Sequence, residues 1–279
     1  MPVVKPRREL GRTGFVATSL GIGDVADRGV PLDACVATLR RALDAGLNLV
    51  DTAPNYEDGY SEQIVGRALA GRREGVFLID KIDDLQGAVG PQVVGSLARL
   101  GLAQVDLFVF HNCSTVADWE RLLAAGGGFD QLGREIASGR ARFSGVSSHH
   151  PDVLRAAIAS GRCDVLMFPI GPYVDRRYET EILPLARERG IGVIVNRPFR
   201  QGALIDAVAR HPLPAWAADL GCTSWAQVLL KFVVSHPAVT CAIPATTRVA
   251  HVRENMGAAR GAMPDEAMRR RIVAHVERL

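Results

Sequence analysis

Short apolar runs alternate with longer amphipathic stretches along the chain. Runs rich in Val, Ile, Leu and Phe fall at 19–23, 47–51, 76–81, 105–111, 143–147, 165–169, 192–196 and 240–244. Most do not alternate polar with apolar positions, which is the pattern of strands buried on both faces. Between them, Leu32, Val36, Leu39 and Leu43 recur at helical spacing across 32–45. Further helical patterns cover 61–69, 92–101, 116–138, 151–160, 179–189 and 224–235, with Ser61 placed to cap the first of these. Gly46, Gly101, Gly161 and Gly190 each follow a helical pattern, where a left-handed residue commonly ends a helix.

Eight strands alternating with helices over 279 residues predict an α/β fold, a (β/α)8 TIM barrel forming a single domain over 1–279. A doubly wound open sheet is the alternative. Gly21-Ile-Gly23 continues as Asp24-Val25-Ala26 with no third glycine, so a Rossmann dinucleotide site is unsupported. The segment 8–16, with its Gly11-Arg-Thr-Gly14 turn, reads as a short N-terminal β-hairpin.

The net charge of +3, from 33 basic and 30 acidic residues, is too small to argue for nucleic acid or an anionic membrane as partner. The Arg run at 269–271 reads as a solvated helix face. No apolar run approaches the roughly 20 residues that span a bilayer. The first ten residues lack the apolar core of a secretion signal. Five scattered cysteines with no CxxC or Cys/His cluster indicate neither a disulfide framework nor a metal site, and a cytoplasmic setting fits best. Cys113 lies near His111 and reads as a nucleophile or, more simply, as a small loop residue.

Polar residues stand at the ends of three consecutive apolar runs: Asp51, Lys81 and His111, thirty residues apart, with Tyr56 on the loop after Asp51. In a (β/α)8 barrel the C-terminal strand ends carry the active site. Asp51 and Lys81 form the natural ion pair there. A neighbouring ammonium is expected to lower the pKa of the Tyr56 phenol, and His111 to donate or relay a hydrogen bond to the same oxygen. Such a set protonates a carbonyl oxygen as it becomes an alkoxide. It supplies no hydride, so a reduction requires a nicotinamide cofactor.

At these residues the chain resembles the aldo-keto reductase family. Asp51-Thr-Ala-Pro-Asn-Tyr56-Glu-Asp-Gly-Tyr-Ser61-Glu62-Gln-Ile-Val-Gly66 is similar to the signature of that family, and Leu10-Gly-Arg-Thr-Gly-Phe-Val to its N-terminal hairpin. The resemblance extends from about residue 8 to Ala259. It implies that Tyr56 is the proton donor, that Lys81 and Asp51 tune it, and that His111 orients the carbonyl. It implies NADP(H), with NAD also possible, lying along the barrel rim. Gly145-Val-Ser147-Ser148 resembles a Gly-Val-Ser-Asn segment that holds the nicotinamide carboxamide. Pro198-Phe199-Arg200-Gln201-Gly202 resembles a loop over the pyrophosphate. Thr246, Arg248, His251, Glu254 and Asn255 match the adenosine end, and Gly23, Asp24 and Val25 complete the candidate cofactor set.

Several positions depart from the family pattern. Met167 stands where a carboxamide-binding glutamine is usual, Asn196 where an aromatic ring often stacks, and Arg197 where serine is common. His251 and Ala245 replace usual 2′-phosphate contacts, with Arg248 available to supply charge. Glu57 follows the tyrosine where glycine is common. The implied function is a carbonyl reductase or alcohol dehydrogenase acting on a small-molecule carbonyl or alcohol. The alternatives are an NADPH-binding sensor or accessory subunit of the same fold with little turnover, and a barrel lyase or isomerase using Lys81 as a Schiff-base amine. Tyr60, Asn112, Tyr173, Phe199 and Trp216 are candidates for the substrate wall.

Overall fold

A computed structural model describes residues 7–279; residues 1–6, which carry most of the stretch read as lacking a secretion signal, lie outside the described residues. The apolar runs form seven parallel strands in sequential order: β3 (Leu49–Asp51), β4 (Phe77–Ile82), β5 (Val105–Phe110), β6 (Ala141–Ser147), β7 (Val165–Phe168), β8 (Gly192–Val195) and β9 (Cys241–Ala242). The run 19–23 closes the curled sheet. Leu20 bridges to Ala242 and Ile22 to Val50, both in parallel sense. Ile22 N–H donates to the Leu49 carbonyl at 3.0 Å, and Gly21 N–H to that of Ala242 at 2.9 Å. The result is a (β/α)8 barrel whose first strand is reduced to two bridges. The antiparallel hairpin β1 (Arg7–Glu9) and β2 (Val16–Thr18) precedes it.

Side chains on each strand alternate between two cores. Leu49, Phe77, Ile79, Leu107, Val109, Val165, Met167, Ile194, Cys241 and Ile243 fill the barrel interior, joined by Leu10 and Ala17 from the hairpin side. Their chain neighbours, among them Val50, Leu78, Phe108, Val146, Leu166 and Val193, pack under the helices. The inward-facing files need no polar positions until they reach the rim.

Helices cover the sheet: α1 (Leu32–Asp44), α2 (Tyr60–Leu69), α3 (Val89–Leu100), α4 (Val116–Leu123), α5 (Gly128–Ala137), α6 (Pro151–Ser160), α7 (Leu183–Glu188), α8 (Ala203–Val208), α9 (Trp225–Ser235), α10 (Val249–Met256) and α11 (Glu266–Val276). Gly46, Gly101, Gly161 and Gly190 all adopt positive φ, as expected of helix ends. Four expectations are corrected. The stretch 116–138 is two helices, parted at the glycine-rich turn 124–127, where Gly126 has φ of 73°. The pattern at 179–189 begins as a π-helical turn (Tyr178–Ile182) before α7. Ser61 lies inside α2 rather than capping it; Gly59 holds the cap position, and Ser61 Oγ accepts from Thr52 Oγ1 at 2.9 Å. The Arg run is not uniformly solvated. Arg269 is nearly buried, stacked 4.0 Å from the Phe232 ring centroid and paired with Glu179, whereas Arg270 is exposed.

Candidate active site

The site follows from the alternation that builds the barrel. Extending each inward-facing file to the rim, Leu49 leads to Asp51, Ile79 to Lys81, Val109 to His111, Gly145 to Ser147, and Ile194 to Asn196. Each file is apolar inside the barrel and turns polar where it meets the opening. β7 and β9 depart from this, since Met167 keeps the one file apolar to the end and Cys241 and Ile243 the other.

Lys81 and Asp51 are 1% and 3% exposed, and Lys81 Nζ donates to Asp51 Oδ1 at 2.8 Å. Nζ also donates to the Thr52 carbonyl at 2.6 Å. The ammonium lies 4.4 Å from the Tyr56 ring centroid, with its third N–H left for that side. Burial opposes the charge on Lys81, but Asp51 and Tyr56 together outweigh it, so the lysine pKa is raised and the side chain stays an ammonium. That is the wrong state for a Schiff-base nucleophile. Burial pushes the Asp51 carboxyl up, against the pull of Lys81. It also raises Tyr56, and Lys81 offsets this only in part. The expected net lowering of the tyrosine is therefore not found: desolvation of the phenolate exceeds the attraction of an ammonium already shared with Asp51.

His111 meets Tyr56 edge-on, with ring centroids 5.9 Å apart at 79°. Its Nδ1 is hydrogen-bonded with Asp83, whose other oxygen accepts from Asn55 N–H at 2.9 Å. Asp83 is a neighbour of the candidate site that the sequence did not single out. Its signal is its place two residues after Lys81, on the loop that leaves the same strand.

Asp51, Tyr56 and His111 open on a cavity of about 700 Å³, with Lys81 just behind them. Gly23, Asp24, Ser147, Asn196, Arg197, Pro198, Phe199, Gln201, Gly202, His251, Glu254 and Asn255 also line it. An adjoining depression of about 520 Å³ shares Asp24, Ala245 and His251 and is lined by Thr246 and Arg248. The two together form an elongated cleft. Val25, Ser148 and Met167 are buried and do not line it. Ser148 Oγ donates instead to the Cys113 carbonyl at 2.6 Å.

Asn112 and Phe199 line the cavity as expected, whereas Tyr60, Tyr173 and Trp216 do not. Trp216 packs edge-on against His275, and the indole at the cavity is that of Trp225. Ile205, Asp206 and His149 also border it; burial and then the charge of Arg197 lower the His149 pKa to about 4. Cys113 is fully buried and its thiol is pushed up to about 11, which leaves little thiolate and fits the small-residue reading. Among the described residues, the six non-glycine residues with positive φ (Glu57, Asp58, Asn112, Arg197, Arg200 and Gln201) lie on the connections that follow strands at this rim. Backbone held in the left-handed region is costly and concentrates at functional surfaces. It also accounts for the likeness of position 57 to a glycine site, since Glu57 has φ of 49°. Among the described residues no group of three or more His, Cys, Asp or Glu is arranged to hold a metal ion.

One cleft atom lacks a partner. Asn196 Oδ1 is buried without a hydrogen bond, while Nδ2 donates to Ser147 Oγ at 3.3 Å.

Comparison with known proteins agrees with this geometry. The sequence model described as Aldo/keto reductase family matches residues 18–276. A methylglyoxal reductase of Escherichia coli (strain K12) is 33% identical over 230 residues, covering 79% of this chain and 77% of that protein. An NADH-specific methylglyoxal reductase of the same organism is 31% identical over 237 residues, covering 75% and 72%. The structure of an aldo-keto reductase from Klebsiella pneumoniae in complex with NADPH superposes with a TM-score of 0.81 at 26% identity, covering 99% of this chain and 95% of that one.

Proposed function

Because the chain belongs to the aldo/keto reductase family, we propose that it is an NADP(H)-dependent carbonyl reductase acting on small aldehydes or ketones, with Tyr56 as the proton donor. The observation that carries this reading is the buried Asp51–Lys81 pair beneath Tyr56, opening with His111 on an elongated cleft.

The cleft residues fit a nicotinamide dinucleotide. Arg197 and Arg248 bring cations to it, and the unpartnered Asn196 oxygen is an acceptor suited to a bound amide. Ser147 and Asn196 would hold the nicotinamide end, Pro198 to Gly202 the pyrophosphate, and Arg248, His251, Glu254 and Asn255 the adenosine end. When bound, the coenzyme supplies the hydride that reaches the carbonyl carbon.

The protein's own residues manage the proton. Burial keeps Tyr56 a neutral phenol at pH 7, so its proton is in place for delivery to the carbonyl oxygen. The Lys81 ammonium stabilises the phenolate left behind, and Asp51 fixes that ammonium below the ring. His111 offers a second hydrogen bond to the same oxygen, its ring set by Asp83. Phe199, Ile205 and Trp225 give the cavity apolar walls that exclude water from the reacting atoms.

The names of the two Escherichia coli relatives support a small 2-oxoaldehyde as substrate, and one of them supports NADH as a possible donor. The sensor reading has less support, because the proton-transfer cluster is complete. Oxidation of NADPH and NADH should be followed with methylglyoxal and a panel of small aldehydes. Turnover with one of them is expected; coenzyme binding without turnover across the panel would overturn the proposal in favour of the sensor.

A further inference from the structure

The reaction cavity holds an imidazole that the proton chemistry does not use. On β6 the inward file runs through Gly145 and Ser147, and one step past the strand it reaches His149, which lines the cavity. The ladder continues that far, since Ser148 N–H donates to the Met167 carbonyl at 3.0 Å. On β5 the inward file runs through Val109 to His111. Val109 pairs with Gly145, so His111 stands level with Ser147. His149 is therefore one inward step nearer the barrel mouth than His111, on the neighbouring strand.

The backbone that carries this ring is fixed while the ring itself is left free. The Tyr178 hydroxyl donates to the His149 carbonyl at 2.7 Å, and the Tyr178 ring stacks on Phe168 with centroids 5.5 Å apart. Among the described residues, no group hydrogen-bonds the His149 imidazole. Burial, and then the charge of Arg197, keep that imidazole neutral at pH 7. A neutral imidazole offers one N–H donor and one lone pair and carries no charge. In a partly desolvated cavity such a donor suits an uncharged oxygen, and there its hydrogen bond is strongest.

We propose that His149 is a specificity residue for substrates with a second carbonyl oxygen on the carbon next to the reacting carbonyl, its ring N–H donating to that oxygen. The assignment rests on the carbonyl-reductase reading given above and gives the 2-oxoaldehyde class a residue that recognises it. Tyr56 and His111 receive the oxygen being reduced. Two oxygens on adjacent carbons, each with its own hydrogen bond, need donors roughly 6–9 Å apart. One inward step and one strand across separate the backbone positions of His111 and His149 by about 8 Å. A simple aldehyde occupies the first position and leaves the His149 N–H unpaired.

A matched pair of three-carbon aldehydes tests this: methylglyoxal, with a carbonyl oxygen on C2, and propanal, with none. The quantity read is the ratio of kcat/KM for methylglyoxal to kcat/KM for propanal at saturating NADPH. Comparing that ratio between wild type and variant cancels the intrinsic reactivity of the two aldehydes and any general loss of activity. In H149F and in H149L, which lack the N–H, the ratio should fall about five- to tenfold below wild type, the usual weight of one neutral hydrogen bond. H149Q keeps an uncharged N–H donor, and its ratio should stay above that of H149F. A wild-type ratio in both H149F and H149L would overturn the assignment while leaving the carbonyl-reductase reading in place. A ratio in H149Q as low as in H149F would do the same. A wild-type protein that reduces neither aldehyde would overturn both the assignment and the 2-oxoaldehyde reading beneath it.

Discussion

Replacing Lys81 with methionine separates what the buried ion pair does for stability from what it does for chemistry. Lys81 and Asp51 are almost wholly buried, and Nζ bonds both Asp51 Oδ1 and the Thr52 carbonyl. Removing one member of such a pair leaves an uncompensated charge, at a cost of about 3–5 kcal/mol. Asp51 escapes part of that cost by taking up a proton, because burial already pushes its carboxyl upward and Lys81 is what opposes this. In K81M the folded carboxyl binds its proton more tightly than the unfolded one. The deficit is therefore smallest in acid, where Asp51 is neutral in both states. It grows as pH rises through the window above the ordinary carboxylate range. Urea denaturation of wild type and K81M at pH 5 and pH 8 measures both the size and the slope. The double variant D51N/K81M, with no charge left to strand, should regain most of the loss, to within about 1.5 kcal/mol of wild type. It should nevertheless reduce no carbonyl substrate. A K81M protein that loses under about 1 kcal/mol, or the same amount at both pH values, would refute the reasoning.

Three further outcomes follow from other parts of the molecule. In D83N, His111 loses the carboxylate that aligns its ring, and kcat should fall by about tenfold or more with a displaced pH profile and little change in coenzyme affinity; an unaltered profile would show that Asp83 is merely structural. G66A should lose about 1–3 kcal/mol or more in thermal or urea denaturation, because a Cβ there would sit 2.0 Å from the Leu100 carbonyl oxygen at the contact of α2 with α3. His236, with Nδ1 accepting from Ala238 N–H and Arg269 and Arg8 nearby, has its pKa lowered by burial to about 4. The unfolded chain takes up that proton first, so stability is full above the ordinary histidine range and declines as pH falls toward about 4; H236Q should flatten that decline in acid titrations followed by circular dichroism.

The strand ends were readable because parity and spacing carry them. Asp51, Lys81 and His111 each close an inward-facing apolar file, and a run that turns polar at its last inward position is visible in one dimension. Asp83 was not, since an aspartate two residues past a strand reads as a solvated loop until folding brings it to His111. The net shift of Tyr56 was hidden for a related reason. Attraction to Lys81 is legible from the motif, but the opposing desolvation depends on how deeply the phenol sits. At the level of elements, 116–138 keeps an apolar periodicity across Gly126-Gly-Gly128, so the helical pattern overrode the turn signal. The first barrel strand was found by its apolar run, although pairing on both sides is reduced to single bridges. Arg269 shows the converse limit: a run of like charges suggests a wet face, yet its middle-distance partner, Glu179, is ninety residues away in sequence.

The central claim is that Tyr56 delivers the proton while the cleft holds the coenzyme independently. Single-turnover reduction of methylglyoxal by pre-bound NADPH in Y56F, with the NADPH affinity measured alongside, tests it most directly. The rate of the chemical step should fall by about a hundredfold to ten-thousandfold, the usual weight of a positioned general acid, with NADPH affinity unchanged. A Y56F protein that keeps the wild-type rate would contradict the account.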